Sequence, residues 1–294
     1  MTETVAVVGL GYVGLTLALT LADAGLDVFG VEKSPASLKN LRAIQSPFFE
    51  TGLDDLLKKH LGKNFKIGEK LPPQKMATYI LCVGTPLDSS TQTPNLTAVT
   101  QAIQEIAAHM QNKALVILRS TVPVGISRKL FLPLLEKSGK QFHVAYCPER
   151  TSEGVALREL KELPQIIGGR DEASILAAKA LFQKMAPQLV VAPSLEAAEL
   201  MKLMDNCWRD ATFAFANEIA ALCEGWGLDA NQIIGLSNSG YPRNRIPKPG
   251  FVGGPCLTKD PFLLNASAAP VSVSVRANVN PTYPKPTTAT VSVI

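Results

Sequence analysis

The 294-residue sequence has no CxxC pair, and its five cysteines, Cys82, Cys147, Cys207, Cys223 and Cys256, are odd in number and widely spaced. That pattern excludes a disulfide framework and a zinc knuckle and fits the reducing cytoplasm. The three histidines, His60, His109 and His143, share no metal-ligand spacing, so no metal site is expected. Aromatic residues make up only 6% of the chain, and no basic block lies behind its net charge of +4, which argues against nucleic acid as a partner. No uninterrupted apolar run reaches the roughly 18 residues of a membrane span. The apolar start, MTETVAVVGLGYVGLTLALTLADAG, lacks the basic n-region of a secretion signal and is interrupted by glycine, so it reads as fold. What the chain does have is 46% hydrophobic and 18% charged residues, the balance of a globular protein with length for about two domains.

The apolar run 5–8, the glycine-rich GLGYVG and the alanine- and leucine-rich stretch to Ala24 read as strand, tight turn and helix. Further strands are expected at 26–31, 79–83, 115–118, 143–146 and 165–167, alternating with helix-length segments such as 96–110. Such alternation implies an α/β fold with a doubly wound, mostly parallel sheet, expected over residues 1–193. From Ser194, a plausible N-cap, good helix formers run without Pro or Gly to Gly225 and predict one long central helix. A shorter helix at 230–236 and the loop SGYPRNRIPKPGFVGGPCLTKDP complete an expected helical domain, 194–264. A long irregular loop inside a compact domain is usually functional. The segment 265–294 has four prolines and no acidic residue, and it reads as a disordered tail rather than the strand its valine alternation would also allow.

Gly9, Gly11 and Gly14 form GxGxxG between the first strand and helix. There the missing side chains permit a tight turn, backbone approach to a pyrophosphate and close helix packing, and the helix N-terminus faces the phosphates. Glu32 ends the second strand, where a carboxylate accepts hydrogen bonds from a ribose diol and repels a 2′-phosphate; this favours NAD, although adjacent Lys33 softens the repulsion. Other signals are ambiguous on their own. Cys256 in GGPCLTKD is either a nucleophile, with Lys259 near enough in sequence to lower a thiol pKa, or an inert small hydrophobe. Lys202 and Asn206 share a helix face at i, i+4, yet a lysine beside Leu203 and Met204 also suits snorkelling. Glu149 and Glu153 in PERTSEG are by themselves an ordinary solvated pair. Cys82, Cys147, Cys207 and Cys223 sit in apolar patterns and read as core.

Taken together and in order, these segments resemble the UDP-glucose/GDP-mannose dehydrogenase family, whose members oxidise the C6 alcohol of a nucleotide sugar to a carboxylate. VAVVGLGYVGL resembles the family's N-terminal fingerprint. VGTP (83–86), STVPVG (120–125), PERTSEG, the ExxKxxxN of 199–206, the NEIA from Asn217 and GFVGGPCLTKDP follow in the family's order. The resemblance covers about residues 3–264 and implies a Rossmann-type NAD domain, a central helix that also makes a homodimer, and a C-terminal nucleotide-binding domain. After PFLL the sequence departs from the family, which suggests a truncated chain lacking that last domain.

The implied chemistry is a double oxidation through a thiohemiacetal and a thioester on Cys256. In this resemblance Lys202 and Asn206 stabilise alkoxide and oxyanion charge, Asp260 holds or activates water, and Glu153 and Thr121 position water or the nicotinamide. Gly9, Gly11, Tyr12, Val13, Gly14, Glu32, Thr85, Thr121, Glu153 and Lys259 carry over to NAD. Glu149, Lys202, Asn206, Arg245, Ile246, Pro247, Lys248, Pro249 and Gly253 carry over to the nucleotide sugar. YPRNRIPKPGFVGGPC looks closer to members acting on UDP-N-acetylhexosamines than on UDP-glucose, and Thr51 stands in FETGL where the family usually has proline. Two other readings stay open: a catalytically weak module that binds NAD and dimerises, and a 3-hydroxyacid dehydrogenase, against which GGPCLTKD speaks.

Overall fold

The computed structural model describes residues 3–254 and 256–267. In chain order it contains β1 (Thr4–Val8), α1 (Tyr12–Asp23), β2 (Asp27–Val31), α2 (Pro35–Arg42), α3 (Leu53–His60), β3 (Phe65–Gly68), β4 (Thr78–Leu81), α4 (Thr97–His109) and β5 (Ala114–Leu118). A π-helical turn (Ser127–Phe131) then leads into α5 (Leu132–Glu136), β6 (Phe142–Tyr146), α6 (Ala156–Glu162), β7 (Gln165–Gly169), α7 (Glu172–Phe182) and β8 (Leu189–Ala192). The last helices are α8 (Leu195–Gly225), α9 (Ala230–Asn238) and α10 (Asp260–Ser267). The chain divides into two compact units, one of residues up to Asp88 and from Pro94 to Lys202, the other of Ser89–Thr93 and the chain from Leu203 on.

The first unit is built on one sheet of order β3-β2-β1-β4-β5-β6-β7-β8. Neighbouring strands run parallel except β6 and β7. The two-residue period of a strand sends alternate side chains to opposite faces. Val5 and Val7 of β1, with Leu115 and Ile117 of β5, join one core with α1, α3 and α7. Ala6 and Val8, with Val116 and Leu118, join a second core with α4, α5 and the start of α8. The central strands β1 and β5 are therefore apolar on both faces, as a parallel sheet covered by helices demands. The expected doubly wound α/β fold is present.

Strand order reverses at β1, flanked by β2 on one side and β4 on the other, and a crevice opens at the carboxyl ends of strands where order reverses. The parallel direction of β1, β2, β4, β5 and β6 brings the glycine loop, Glu32, VGTP, STVPVG and PERTSEG to that one edge. Two four-residue strands, β3 and β8, were not foreseen; they are the outermost strands, with one hydrogen-bonded neighbour each.

In the second unit, irregular chain joins α9 to α10, as the prolines and glycines require. α9 begins at a true cap: Asp229 Oδ1 accepts from the Asn231 and Gln232 N–H groups at 2.8 and 3.3 Å. The α8 N-cap expected at Ser194 is likewise present, its Oγ accepting from Ala197 N at 3.1 Å. α10 extends through Ser267, so Asn265–Ser267 are helical and not part of a tail. Helix continues there because, after Pro261 in the first turn, no proline occurs before Pro270. The rest of the expected tail, 268–294, lies outside the described residues. No described helix is long and apolar enough to cross a membrane.

Candidate active site

The glycine loop is fixed by sterics. Gly9 has φ +93°, and a Cβ there would lie 2.9 Å from the Cys82 carbonyl oxygen. A Cβ on Gly14 would lie 1.8 Å from the Gly9 carbonyl oxygen, so α1 can approach the loop only without a side chain at that position. Gly11, the N-cap of α1, has nothing within 4 Å of its would-be Cβ and faces open space. Tyr12 and Val13 form the first turn of α1. Glu32 is held against this loop: its Oε2 accepts from Leu10 N at 3.1 Å and its Oε1 from Ser34 N at 2.8 Å. Each oxygen keeps a lone pair for a further donor. Lys33 is engaged elsewhere, its Nζ 2.5 Å from Glu105 Oε1, so its charge is already matched.

Three neighbouring loops are held by buried polar side chains. Thr85, buried in VGTP, donates through Oγ1 to the Thr121 carbonyl of STVPVG at 2.7 Å. Glu199, fully buried in the first turns of α8, accepts from Gly125 N at 2.6 Å and Ser127 N at 2.8 Å. Burial pushes its carboxyl above the usual range, while these donors oppose the rise. Glu149 is buried beneath the PERTSEG loop, where its Oε2 takes Nη2 of Arg119 at 2.6 Å and Nε at 3.2 Å, and its Oε1 takes the Arg150 and Thr151 N–H groups at 2.7 and 2.9 Å. Burial alone would raise its pKa; the Arg119 charge and these hydrogen bonds outweigh that and hold it below the ordinary carboxylate value. Arg119 completes its fork on the Cys147 carbonyl and Gln165 Oε1. Glu153, four residues on, is exposed.

Sequence reasoning missed Arg119 and Glu199 as supports. An arginine closing the apolar run ALVILR ahead of STVPVG was the available signal for the first, since charge survives burial only when paired. For Glu199 the signal was its place at the head of ExxKxxxN.

In the second unit, Asn206 and Asp260 are both buried, and Asn206 Nδ2 donates to Asp260 Oδ2 at 2.5 Å. Lys259 Nζ lies 2.6 Å from the other oxygen, Oδ1. Asp260 opens α10, where a carboxylate suits the helix dipole. Cys256 is exposed on the turn before it, its carbonyl accepting from the Asp260 and Lys259 N–H groups at 2.9 and 3.2 Å. The other thiols differ: Cys147 and Cys223 are buried, Cys82 and Cys207 half-buried. Burial, reinforced by Asp260 and Asp210, pushes the Cys207 thiol up to about 12. The preceding loop is clamped by two asparagines. Asn238 exchanges both hydrogen bonds with the Ile246 backbone, at 2.8 and 3.0 Å, and Asn217 of NEIA does the same with Gly250, at 2.9 and 2.8 Å. At and around the clamps Arg245 and Lys248 are exposed and Ile246, Pro247 and Pro249 half-buried; Gly253 beyond them is open to solvent. Lys202, the last residue of the first unit, is buried. Among the described residues no group of three or more His, Cys, Asp or Glu could hold a metal ion.

The NAD-binding-domain model of the UDP-glucose/GDP-mannose dehydrogenase family matches residues 3–186, and the model of its central domain matches residues 196–279. The chain belongs to this family. It is 35% identical over 264 residues to a UDP-N-acetyl-D-mannosamine dehydrogenase of Methanocaldococcus jannaschii, covering 88% of this chain and 61% of the relative. An NDP-N-acetyl-D-galactosaminuronic acid dehydrogenase of Ralstonia solanacearum is 32% identical, with 92% and 66% covered. The structure of a UDP-D-ManNAc dehydrogenase from Pyrococcus horikoshii superposes with TM-score 0.85 at 35% identity, covering 90% of this chain and 65% of that one. The chain thus spans about two thirds or less of the length of these relatives.

The family's NAD-binding domain accounts for the geometry of the first unit. The open space at Gly11 admits a pyrophosphate, the α1 N-terminus supplies N–H groups, and the fixed Glu32 carboxylate can accept from a ribose diol. The residues present fit the cofactor, and Lys33 is paired with Glu105 at the surface.

Proposed function

We propose that this chain carries out the NAD-dependent oxidation of a nucleotide sugar's C6 hydroxyl to the carboxylate, with a UDP-N-acetylhexosamine as substrate. The observation that carries the reading is the arrangement beside Cys256, where buried Asp260 orients the Asn206 amide and holds Lys259 four residues or fewer from an exposed thiol. The named relatives that act on N-acetylhexosamine nucleotides support the choice of sugar.

Gly9, Gly11, Tyr12, Val13, Gly14, Glu32, Thr85, Thr121, Glu153 and Lys259 would hold NAD, which when bound supplies the hydride acceptor for both oxidations. Lys202 and Asn206 would stabilise negative charge on the C6 oxygen, first as alkoxide and then as tetrahedral oxyanion. The Asn206 amide has one Nδ2 hydrogen given to Asp260 and one left for this purpose. The Cys256 thiolate adds to the aldehyde carbon to give a thiohemiacetal, whose two-electron oxidation leaves a thioester. Water cleaves it, releasing the carboxylate and the thiol; Asp260 would hold or activate that water, and Glu153 and Thr121 would position water or the nicotinamide. Arg245, Ile246, Pro247, Lys248, Pro249 and Gly253 line the sugar-nucleotide path. Glu149, its oxygens already serving Arg119 and two backbone amides, contributes by holding the PERTSEG loop.

A homodimer through α8 is part of this reading. Met204, Trp208, Phe215 and Leu222 are all more than half exposed, and their spacings of 4, 7 and 7 gather them within one narrow stripe of the helix. An apolar stripe of this kind seeks a partner helix. No two cysteines are joined, which suits a reducing compartment.

The test is NADH formation with UDP-glucose, UDP-N-acetylglucosamine, UDP-N-acetylmannosamine and GDP-mannose, beside NAD calorimetry. Turnover of an N-acetylhexosamine nucleotide supports the proposal. NAD binding without turnover of any of the four supports the second reading, a cofactor-binding, self-associating module.

A further inference from the structure

Tyr12 lies within the glycine loop as the first residue of α1, and its phenol hydroxyl is bonded outside that loop. Its hydroxyl donates to Glu50 Oε2 at 2.6 Å, and its ring packs on Phe48 with centroids 4.9 Å apart. Glu50 is only 6% exposed, in a segment joining α2 to α3 that has no part in the proposed chemistry. The same Oε2 accepts from Gly154 N at 2.9 Å, and Oε1 accepts from Leu157 N at 3.3 Å. Gly154 follows Glu153 and has φ +88°, a left-handed turn that sets the direction in which the loop leaves Glu153. Thr51 adds a bond from Oγ1 to the Gly154 carbonyl at 3.3 Å. One buried carboxylate and its neighbour therefore grip both backbone polar groups of Gly154 and fix them to the first residue of α1.

We propose that Tyr12, Glu50 and Thr51 form a clasp that sets the Glu153 loop in the frame of the dinucleotide loop, with Glu50 as a positioning residue for Glu153. The inference rests on the reading that Glu153 takes part in the oxidation. Burial, and then the Glu50 contact, raise the Tyr12 hydroxyl pKa, so it stays a donor throughout the neutral range. Thr51 occupies the position where the family pattern usually has proline, which has no hydroxyl to give. The clasp spans 142 residues between Tyr12 and Gly154, so nothing local to the Glu153 loop would reproduce it.

Amide hydrogen exchange on the free chain reads the clasp without any turnover. Glu50→Gln offers one acceptor oxygen where the carboxylate offers two, leaving Gly154 or Leu157 N–H facing an amide –NH2. Exchange at Gly154 and Leu157 should rise at least tenfold, with β1 and β4 amides unchanged. Tyr12→Phe should raise it about threefold, and Thr51→Pro by less. In the turnover assay Glu50→Gln should lower kcat at least tenfold with KM for the sugar nucleotide within threefold. Unchanged exchange in both Glu50→Gln and Tyr12→Phe would overturn the clasp, and raised exchange with unchanged kcat would overturn the positioning role. If the unmodified chain oxidises none of the sugars, the proposed function fails while the exchange result still decides the clasp.

Discussion

The short glycine loop after β1 and the long cysteine loop before α10 are both irregular and contain glycine, yet they are held by different forces. The first is shaped by exclusion: Gly14 leaves no room for a methyl group, and Gly9 sits in the left-handed region against the β4 end. The second is held by polar side chains, the asparagine clamps at Ile246 and Gly250 and the Asn206–Asp260–Lys259 chain. A loop fixed by sterics tolerates no added atom but hardly depends on pH. A loop fixed by hydrogen bonds tolerates small changes of shape and fails when a donor or acceptor is lost.

The largest expected effect tests the steric side. Gly14→Ala forces a methyl into the Gly9 carbonyl and should cost about 3 kcal/mol or more in denaturant unfolding, since backbone must move. Gly11→Ala, one turn away, meets no atom and should leave the melting temperature within a degree or two while weakening NAD at least tenfold. If both glycines melt the protein equally, the distinction between a packing glycine and a ligand-facing glycine is wrong.

Arg119→Met sharpens the comparison from the charged side. It strands Glu149 as a buried, uncompensated carboxylate, and unfolding should be easier by about 3–5 kcal/mol. Glu149→Gln added to it should recover part of the loss, and no recovery would mean that charge was not the cause. Asn217→Ala removes two hydrogen bonds from the proline loop and should cost roughly 1–2 kcal/mol by the net worth of such bonds, with faster proteolysis near Gly250.

The smallest effect is a pH dependence. The Glu196 carboxyl, bonded to Arg128, is held down to about 2 against an ordinary 4.5. A lowered carboxyl pKa stabilises the fold above the unfolded value and loses that stabilisation as pH falls, here from about 4.5 toward about 2. Arg128→Ala should flatten the acid limb of the melting curve by no more than about 1 kcal/mol, because the pair is partly solvated.

The β1–α1–β2 unit was legible because its signals are local: an apolar run, three glycines and a carboxylate at a fixed distance. Strand β3, a four-residue FKIG at the sheet edge, offers too little periodicity to be seen, and no pattern in Gln165–Gly169 reveals that β7 runs antiparallel to β6. In the site, exposed Cys256 was read from glycines and motif order. Glu50 was not, because FFETGL resembles an ordinary surface segment and its partners lie 38 to 107 residues away. Chain-distant hydrogen bonds leave no imprint on short-range composition.

Counting NADH formed per uronate tests the central claim, a covalent double oxidation at Cys256, most directly. The chain should form two NADH per sugar, with a substrate thioester on Cys256 trapped by acid quench and found by mass spectrometry. Cys256→Ser should lose that adduct and at least 100-fold of its uronate formation. One NADH per sugar, or full two-step turnover by Cys256→Ser, would contradict it.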